Sequence, residues 1–560
     1  MKKAIPLLAV SILSLFIKAD LRADVKLPSI FGDHMVLQQE AKLPVWGWAD
    51  PGEKVKVIIG DRSAEVTAGT DGRWRADLPP LPTAGAPVTV TIAGKNTLKL
   101  EDVLIGDVWL CSGQSNMVFG LRHSYKGAEA AKQANEPQIR LFSVTKSGLA
   151  KPTDSFAEAP FDSPLQGQWQ VCTPATVAKI GDFTDQDEGG FSAVGYFFAK
   201  AVHDATRRPV GMIGSYVGAT GADAWTSLAG LEKEPALAGY VQKLARPTED
   251  QKLYYSTRWA DYVAAYQKWK AVLREPIKEW ALAAEVARKA GQSEPPKPVN
   301  PEPRPRNLNS FAVPPAALFN GMISPVIPYA IKGVVWYQGE NNISKAQEYG
   351  ILLPALIRDW RAQWRQGDFP FLFVQLPNCN QPPKTAGDTS SWAILREAQL
   401  KALALPNTGM AVAIDIGAVG IHPPDKFDVG ARLALAARHV AYGENLVYTG
   451  PIYDSMRTEG GGIRISFKAD SIGGGLIIGS APWIDPKAVP VSKTELQGFA
   501  IAGEDKVWVW ADAKIDGNTV VVSSPRVANP VAVRYAWADN PPCNLYNKEG
   551  LPAAPFRTDK

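Results

Sequence analysis

The sequence predicts an α/β protein, a doubly wound parallel sheet with a β unit before it and another after it in the chain. Two patterns carry that expectation. Between Gly106 and about Gly450, short unbroken apolar runs (DVWLCS, QIRLFSV, VGMIGSYV, GVVWYQ, FPFLFVQL and MAVAIDI) are separated by helical segments at 192–205, 344–364 and 391–403, with another starting near Asp428. Strands covered on both faces read as continuous Val/Ile/Leu runs, and the helices between them provide the crossovers that parallel pairing needs. On either side of this stretch the rhythm is alternation of apolar and polar residues, the mark of half-buried strands.

The elements follow in order. Lys2 and Lys3 precede an apolar stretch over 4–17 that is too short to cross a bilayer as a mature helix, and Ala19 or Ala23 offers a cleavage site. Residues 1–23 therefore read as a secretory signal peptide, and the product is expected to be exported, periplasmic or secreted. No later segment is long and apolar enough to span a membrane, so no membrane association is expected once the signal is removed. Residues 24–104 form an all-β domain, with Val55, Val57 and Ile59 on one face, then Val88, Val90 and Ile92, punctuated by Asp50-Pro51-Gly52 and Asp71-Gly72 turns. Residues 105–450 form the doubly wound core, interrupted at about 228–310. That insertion carries a helical stripe of Tyr255, Trp259, Tyr262, Tyr266 and Trp269, read as the core of a helical pair, and then a proline-rich connector, GQSEPPKPVNPEPRPR. Residues 451–560 return to strands, with VWVWA and TVVVSS flanking Asp516-Gly517 as a hairpin.

Composition excludes several classes. The 560 residues are 46% hydrophobic, ample for sizeable cores, and the net charge of +4 comes from interspersed charges rather than a basic stripe, so nucleic acid is not an expected partner. Four cysteines, Cys111, Cys172, Cys379 and Cys543, are too few and too far apart to define a disulfide framework. No cluster of His and Cys has metal-ligand spacing, so neither a metal nor a cofactor is expected. Seventeen tryptophans include possible stacking platforms for sugar rings.

In an open α/β sheet, chemistry gathers at the loops after the carboxyl ends of the strands. Four such loops stand out: CSGQSNM around Ser115, GSYVGATGADAW around Gly218, YQGENN at 337–342, and GAVGIHPPDK at 417–426. Together they supply a hydroxyl, amides, a carboxylate and an imidazole, the parts of an acyl-transfer site. A serine needs a base within hydrogen-bond reach and donors aimed at the oxyanion it creates. Of five histidines, His422 lies in a strand-end loop stiffened by Pro423 and Pro424, which makes it the expected base, with His123 in reserve. Two other classes remain open at this stage: a glycosidase using the paired carboxylates Glu340 and Asp415, and a non-catalytic glycan-binding protein using its tryptophans.

CSGQSNM, WYQGENN and IHPPDK, in that order between β units, resemble the sialate O-acetylesterase family of SGNH-type carbohydrate esterases, and the likeness runs from LPSIFGDHMVLQQ to CNLYNKEGLPAAPFRTD. The resemblance implies an SGNH-hydrolase core and metal-free removal of acetyl groups from sugar hydroxyls of sialic acid, xylan or xyloglucan. It implies Ser115 as nucleophile and His422 as base. The implied oxyanion donors are the N–H groups of Ser115 and Gly218 and a side-chain amide, Gln338 or Asn341, with Gln114 beside the serine. Two departures stand out: Val419 occupies the place of the usual aspartate three residues before the histidine, and the third block reads Gly339-Glu340-Asn341-Asn342 rather than Gly-x-Asn-Asp. The acid that orients His422 is therefore open between Glu340, preferred because it shares the loop of the amide donors, and Asp415, with Asp425 third. A sialic acid carboxylate would invite a basic subsite, for which Arg396 and Arg122 lie near these loops in sequence.

Overall fold

The computed structural model describes residues 24–153, 167–180, 189–256, 259–290, 292–305, 313–387, 390–481 and 491–559. The leader expected at 1–23 lies outside them. The first unit contains strands β1 (Val36–Gln38), β2 (Leu43–Trp48), β3 (Lys54–Ile59), β4 (Arg62–Thr67), β5 (Arg73–Leu78) and β6 (Ala84–Ala93). Val55, Val57 and Ile59 are buried on the inner face of β3, as the alternation requires.

One strand joins this unit to the core. β7 (Thr97–Gly113) pairs antiparallel with β6 over its first half, then runs parallel to the neighbouring core strands over its second. Its burial changes accordingly, alternating up to Asp102 and complete from Val103 onward. The domain boundary expected at 104–105 therefore falls inside a continuous strand, which fixes the β unit to the sheet more rigidly than a flexible linker would.

The core adds β8 (Glu136–Ser143), β9 (Trp169–Cys172), β10 (Val210–Tyr216), β11 (Gly333–Tyr337), β12 (Phe371–Gln375) and β13 (Thr408–Val412). Their order is β13-β12-β11-β7-β10-β8-β9, and every pairing is parallel except that of β9. All six apolar runs read from the sequence are strands of this sheet; β9 carries no comparable run. After β7 the chain builds β8 and β10 on one side and then β11, β12 and β13 on the other. The switch point, where such sheets bind ligands, lies at the end of β7.

Helices Ala193–Thr206 and Lys426–Val440 pack together on one face, while Ala346–Trp364 and Ser391–Lys401 pair elsewhere against the sheet. Three of the four open on a side-chain cap: Ser192 accepts from Gly195 N–H, Ser390 from Ala393 N–H and Asp425 from Asp428 N–H. In the insertion, Tyr254 and Tyr266 are buried and Tyr266 stacks on Trp269 with ring centroids 5.7 Å apart. The side chains of Trp259 and Tyr262 lie outside the described residues.

The C-terminal unit differs in one pairing. Asp512–Asp516, not VWVWA, forms the hairpin with Thr519–Ser523, while Val509–Trp510 pairs with Phe499–Ala502. Ala511 N–H bonds to Phe499 O, so the chain changes sheets at that residue. All four cysteines are buried free thiols. Among the described residues no helix is long and apolar enough to cross a membrane, and no group of three or more His, Cys, Asp or Glu is arranged to hold a metal ion.

Candidate active site

Strand β7 stops because the chain must leave the sheet. Gly113 has φ +140°, and a Cβ there would lie 2.1 Å from Tyr337 O on β11, so only glycine fits. Gln114 N–H then bonds to Tyr337 O at 3.0 Å, and Ser115 opens a single helical turn, Ser115–Val118, whose N-cap has no side-chain hydrogen bond. The turn lifts a half-buried Ser115 above the sheet, between the loops that follow β10 and β11. Gly218, after β10, faces it; a Cβ at Gly218 would stand 3.6 Å from Ser115 Cβ.

His422 arrives from farther away. It follows β13, which is separated from β7 by β12 and β11, and the loop 413–425 carries it back to the centre. There its Nε2 lies 2.8 Å from Ser115 Oγ. Burial, reinforced by the Lys426 ammonium, pulls the imidazole below the usual histidine range. The reserve histidine, His123, sits in the short 3-10 turn Leu121–His123, and the imidazole paired with Ser115 Oγ is that of His422.

The expected carboxylate–imidazole bond is not formed: among the described residues no carboxylate is hydrogen-bonded to His422. Asp415 is held by Arg432 in a two-pronged ion pair of 2.6 and 2.7 Å and by the Tyr546 hydroxyl at 2.9 Å. It joins the helix Lys426–Val440 to the C-terminal unit. Glu340 is buried and its Oε1 accepts from Asn116 Nδ2 at 2.5 Å. Burial raises its carboxyl above the usual range, opposed by the Asn116 hydrogen bond and the Lys426 charge. Asp425 spends one carboxylate oxygen capping its helix, and burial lifts it to about 7.

The amides also separate. Gln338 is fully buried and donates to Thr220 O at 3.1 Å and Asn342 Oδ1 at 2.6 Å, while its own Oε1 accepts from Tyr349. Its N–H groups are committed to the scaffold, which removes it as an oxyanion donor. Asn341 is exposed. Gln114 Oε1 accepts from the N–H groups of Asn341 and Gly339, so this side chain fastens the third loop to the serine turn.

Arg396 is likewise structural. It is 0% exposed and donates to the carbonyls of Leu376, Pro377, Ala538 and Asp539, stitching the C-terminal unit to the core. A guanidinium this buried cannot meet a substrate carboxylate. Arg122 is exposed, on the 3-10 turn that follows the serine turn. Sequence reading missed Asn116 and Lys426, both buried beside the Ser115–His422 pair; the signal was present in their adjacency to Ser115 and to the IHPPD segment.

Comparison with known proteins agrees with this architecture. A family model described as a carbohydrate esterase, sialic acid-specific acetylesterase, matches residues 315–437, which hold the third and fourth loops. The sialate O-acetylesterase of Mus musculus is 28% identical over 570 residues, covering 94% of this chain and 93% of the mouse protein. That of Homo sapiens is 28% identical over 598 residues, covering 97% and 95%. The crystal structure of a carbohydrate acetylesterase from Xanthomonas citri superposes with a TM-score of 0.73 at 35% identity, covering 96% of this chain and all of that one. The fold is that of a carbohydrate acetylesterase. The chain belongs to the carbohydrate acetylesterases, is similar over nearly its whole length to sialate O-acetylesterases, and is a carboxylic ester hydrolase that removes O-acetyl groups from carbohydrate. The glycosidase and the non-catalytic glycan-binding protein that the sequence left open give way to this assignment.

The position of Arg396 makes a prediction. Arg396→Met strands buried carbonyls and should destabilise the fold by on the order of 3 kcal/mol, while the KM of the folded enzyme for an acetylated substrate stays unchanged. Thermal unfolding together with steady-state kinetics checks both halves; a raised KM with unaltered Tm would return Arg396 to the substrate site.

Proposed function

We propose that this esterase works through an acetyl-serine intermediate on Ser115, with His422 as its base, and that its substrate is an O-acetylated sialic acid. The observation that carries the mechanism is the 2.8 Å approach of His422 Nε2 to Ser115 Oγ at the switch point of the sheet. His422 Nε2 takes the proton as Oγ attacks the acetyl carbonyl. The oxyanion is received by the N–H groups of Ser115 and Gly218, with the exposed Asn341 carboxamide as third donor. Collapse breaks the ester C–O bond, and the sugar oxygen leaves with the proton from His422. Water, deprotonated in turn by His422, attacks the acetyl-serine, releases acetate and restores Ser115. No metal takes part. The substrate class is supported by the two mammalian relatives named sialate O-acetylesterases, alike over nearly the whole chain. Arg122, exposed beside the serine turn, is the cation available to a sialic acid carboxylate. Export by the leader at 1–23 belongs to the same reading and places the enzyme outside the cytoplasm, with free or glycan-bound sugar.

The depressed His422 pKa sets the pH dependence. The neutral imidazole is the active form, so kcat/KM should fall as pH drops through a value below the ordinary 6.5. A pH–rate profile checks this; an acid limb centred at or above 6.5 contradicts it.

Acetate release measured side by side on O-acetylated sialic acid, acetylxylan and acetyl-xyloglucan should be fastest on the first. Ser115→Ala should fold normally and lose roughly 10⁶ in kcat on all three. Faster turnover of a plant polysaccharide would move the substrate while keeping the mechanism. A folded Ser115→Ala enzyme with a tenth of wild-type activity would end the serine reading.

A further inference from the structure

His422 is carried on an irregular loop from the sheet's edge, and its imidazole has no carboxylate behind it among the described residues. Something else must hold it within hydrogen-bond reach of Ser115. The backbone on both sides of His422 is gripped from below. Asn116 Nδ2 donates to Ile421 O at 3.0 Å, and Lys426 Nζ donates to Pro423 O at 2.7 Å. The two gripping side chains also hold each other, since Lys426 Nζ donates to Asn116 Oδ1 at 2.6 Å. Glu340, on the far side, accepts from Asn116 Nδ2 and sets the direction of the carboxamide.

The chemistry of Lys426 argues that this arrangement is built for a purpose. Its side chain is completely buried, and burial pulls the ammonium down to about 7 against the opposing pull of Glu340 and Asp425. It also occupies the first position of the helix Lys426–Val440, where the helix dipole disfavours a cation. A packed apolar residue would be cheaper on both counts. What an apolar residue cannot supply is two hydrogen bonds, one to the loop that bears the base and one to the residue next to the nucleophile.

We propose that Asn116 and Lys426 are the positioning residues of this esterase, holding the carbonyls on either side of His422 and thereby orienting the imidazole that a carboxylate on Nδ1 would otherwise orient. The inference rests on the Ser115–His422 reading. Asn116 is the chain neighbour of Ser115, so one carboxamide ties the nucleophile to the base and fixes their separation without touching substrate. Glu340 is the counter-charge of this clamp and not a third member of a triad.

Two variants and one measurement on the unaltered enzyme test it. Asn116→Leu and Lys426→Met should each lower kcat by about 10²-fold through misplacement of the base, with KM for a soluble acetyl ester unchanged. Variants that fold, as judged by thermal unfolding and circular dichroism, and keep wild-type kcat overturn the proposal. Ser115→Ala assayed in parallel separates the two failures: an active Ser115→Ala enzyme removes the underlying reading, whereas an inactive one beside fully active clamp variants removes the clamp alone. If either clamp variant does not fold, proton NMR of the wild-type enzyme decides, with His422 assigned by comparison with His422→Gln. The clamp predicts no strongly deshielded Nδ1 proton on His422. Such a proton, the sign of a short hydrogen bond to a carboxylate, would overturn it.

Discussion

The site depends on one geometric constraint: the proposed nucleophile and its proposed base come from strands that are not neighbours. Ser115 follows the central strand β7, whereas His422 follows the edge strand β13 and must be carried back across β12 and β11. A loop that long has many conformations, and only those holding the imidazole within hydrogen-bond reach of Ser115 are productive. Much of the surrounding structure reads as ties on this loop. Gly417 N–H bonds to Asn378 Oδ1, Asn380 N–H to Val419 O, Tyr125 N–H to Pro424 O, and the Asn116 and Lys426 side chains to the carbonyls flanking His422.

The same economy of polar groups explains the loops after β10 and β11. Gln338, Asn342, Thr220 and Tyr349 satisfy one another beneath the surface, and Gln114 binds the third loop to the serine turn. These buried amides are partnered within the protein, as burial demands, so they hold the loops, and the proposed oxyanion donors are the backbone N–H groups and the exposed Asn341. Asp415, Arg432 and Tyr546 do similar work beneath the histidine loop, and Arg396 does it between core and C-terminal unit. The second β unit is thus joined to the catalytic unit by buried hydrogen bonds on the side from which His422 comes.

Much of this was legible in the sequence, for physical reasons. The six parallel strands announced themselves because strands buried on both faces have to be apolar at every position, and the four helices because parallel pairing needs crossovers between those runs. The four loops stood out because strand ends are where such sheets keep their polar chemistry. Partner choice among buried polar groups was not legible. Gln338 and Asn341, or Glu340 and Asp415, are equivalent as letters, and what distinguishes them is which side of a turn faces inward. Arg396 looked like a substrate contact because it is near a catalytic loop in sequence, yet its helix turns it into the core. Lys426 was read as part of a loop motif; that it is buried, in the first turn of a helix, follows only once the helix is seen to start two residues after the second proline.

The most direct test of the account is a crystal structure of the enzyme inactivated by a small phosphonate ester that mimics the tetrahedral acetyl intermediate. The predicted result is a bond from phosphorus to Ser115 Oγ, a phosphonyl oxygen within hydrogen-bond distance of the Ser115 and Gly218 N–H groups, and His422 still flanked by Asn116 and Lys426 with no carboxylate on Nδ1. An adduct on another residue, or Glu340 or Asp415 moved onto His422 Nδ1, would contradict it.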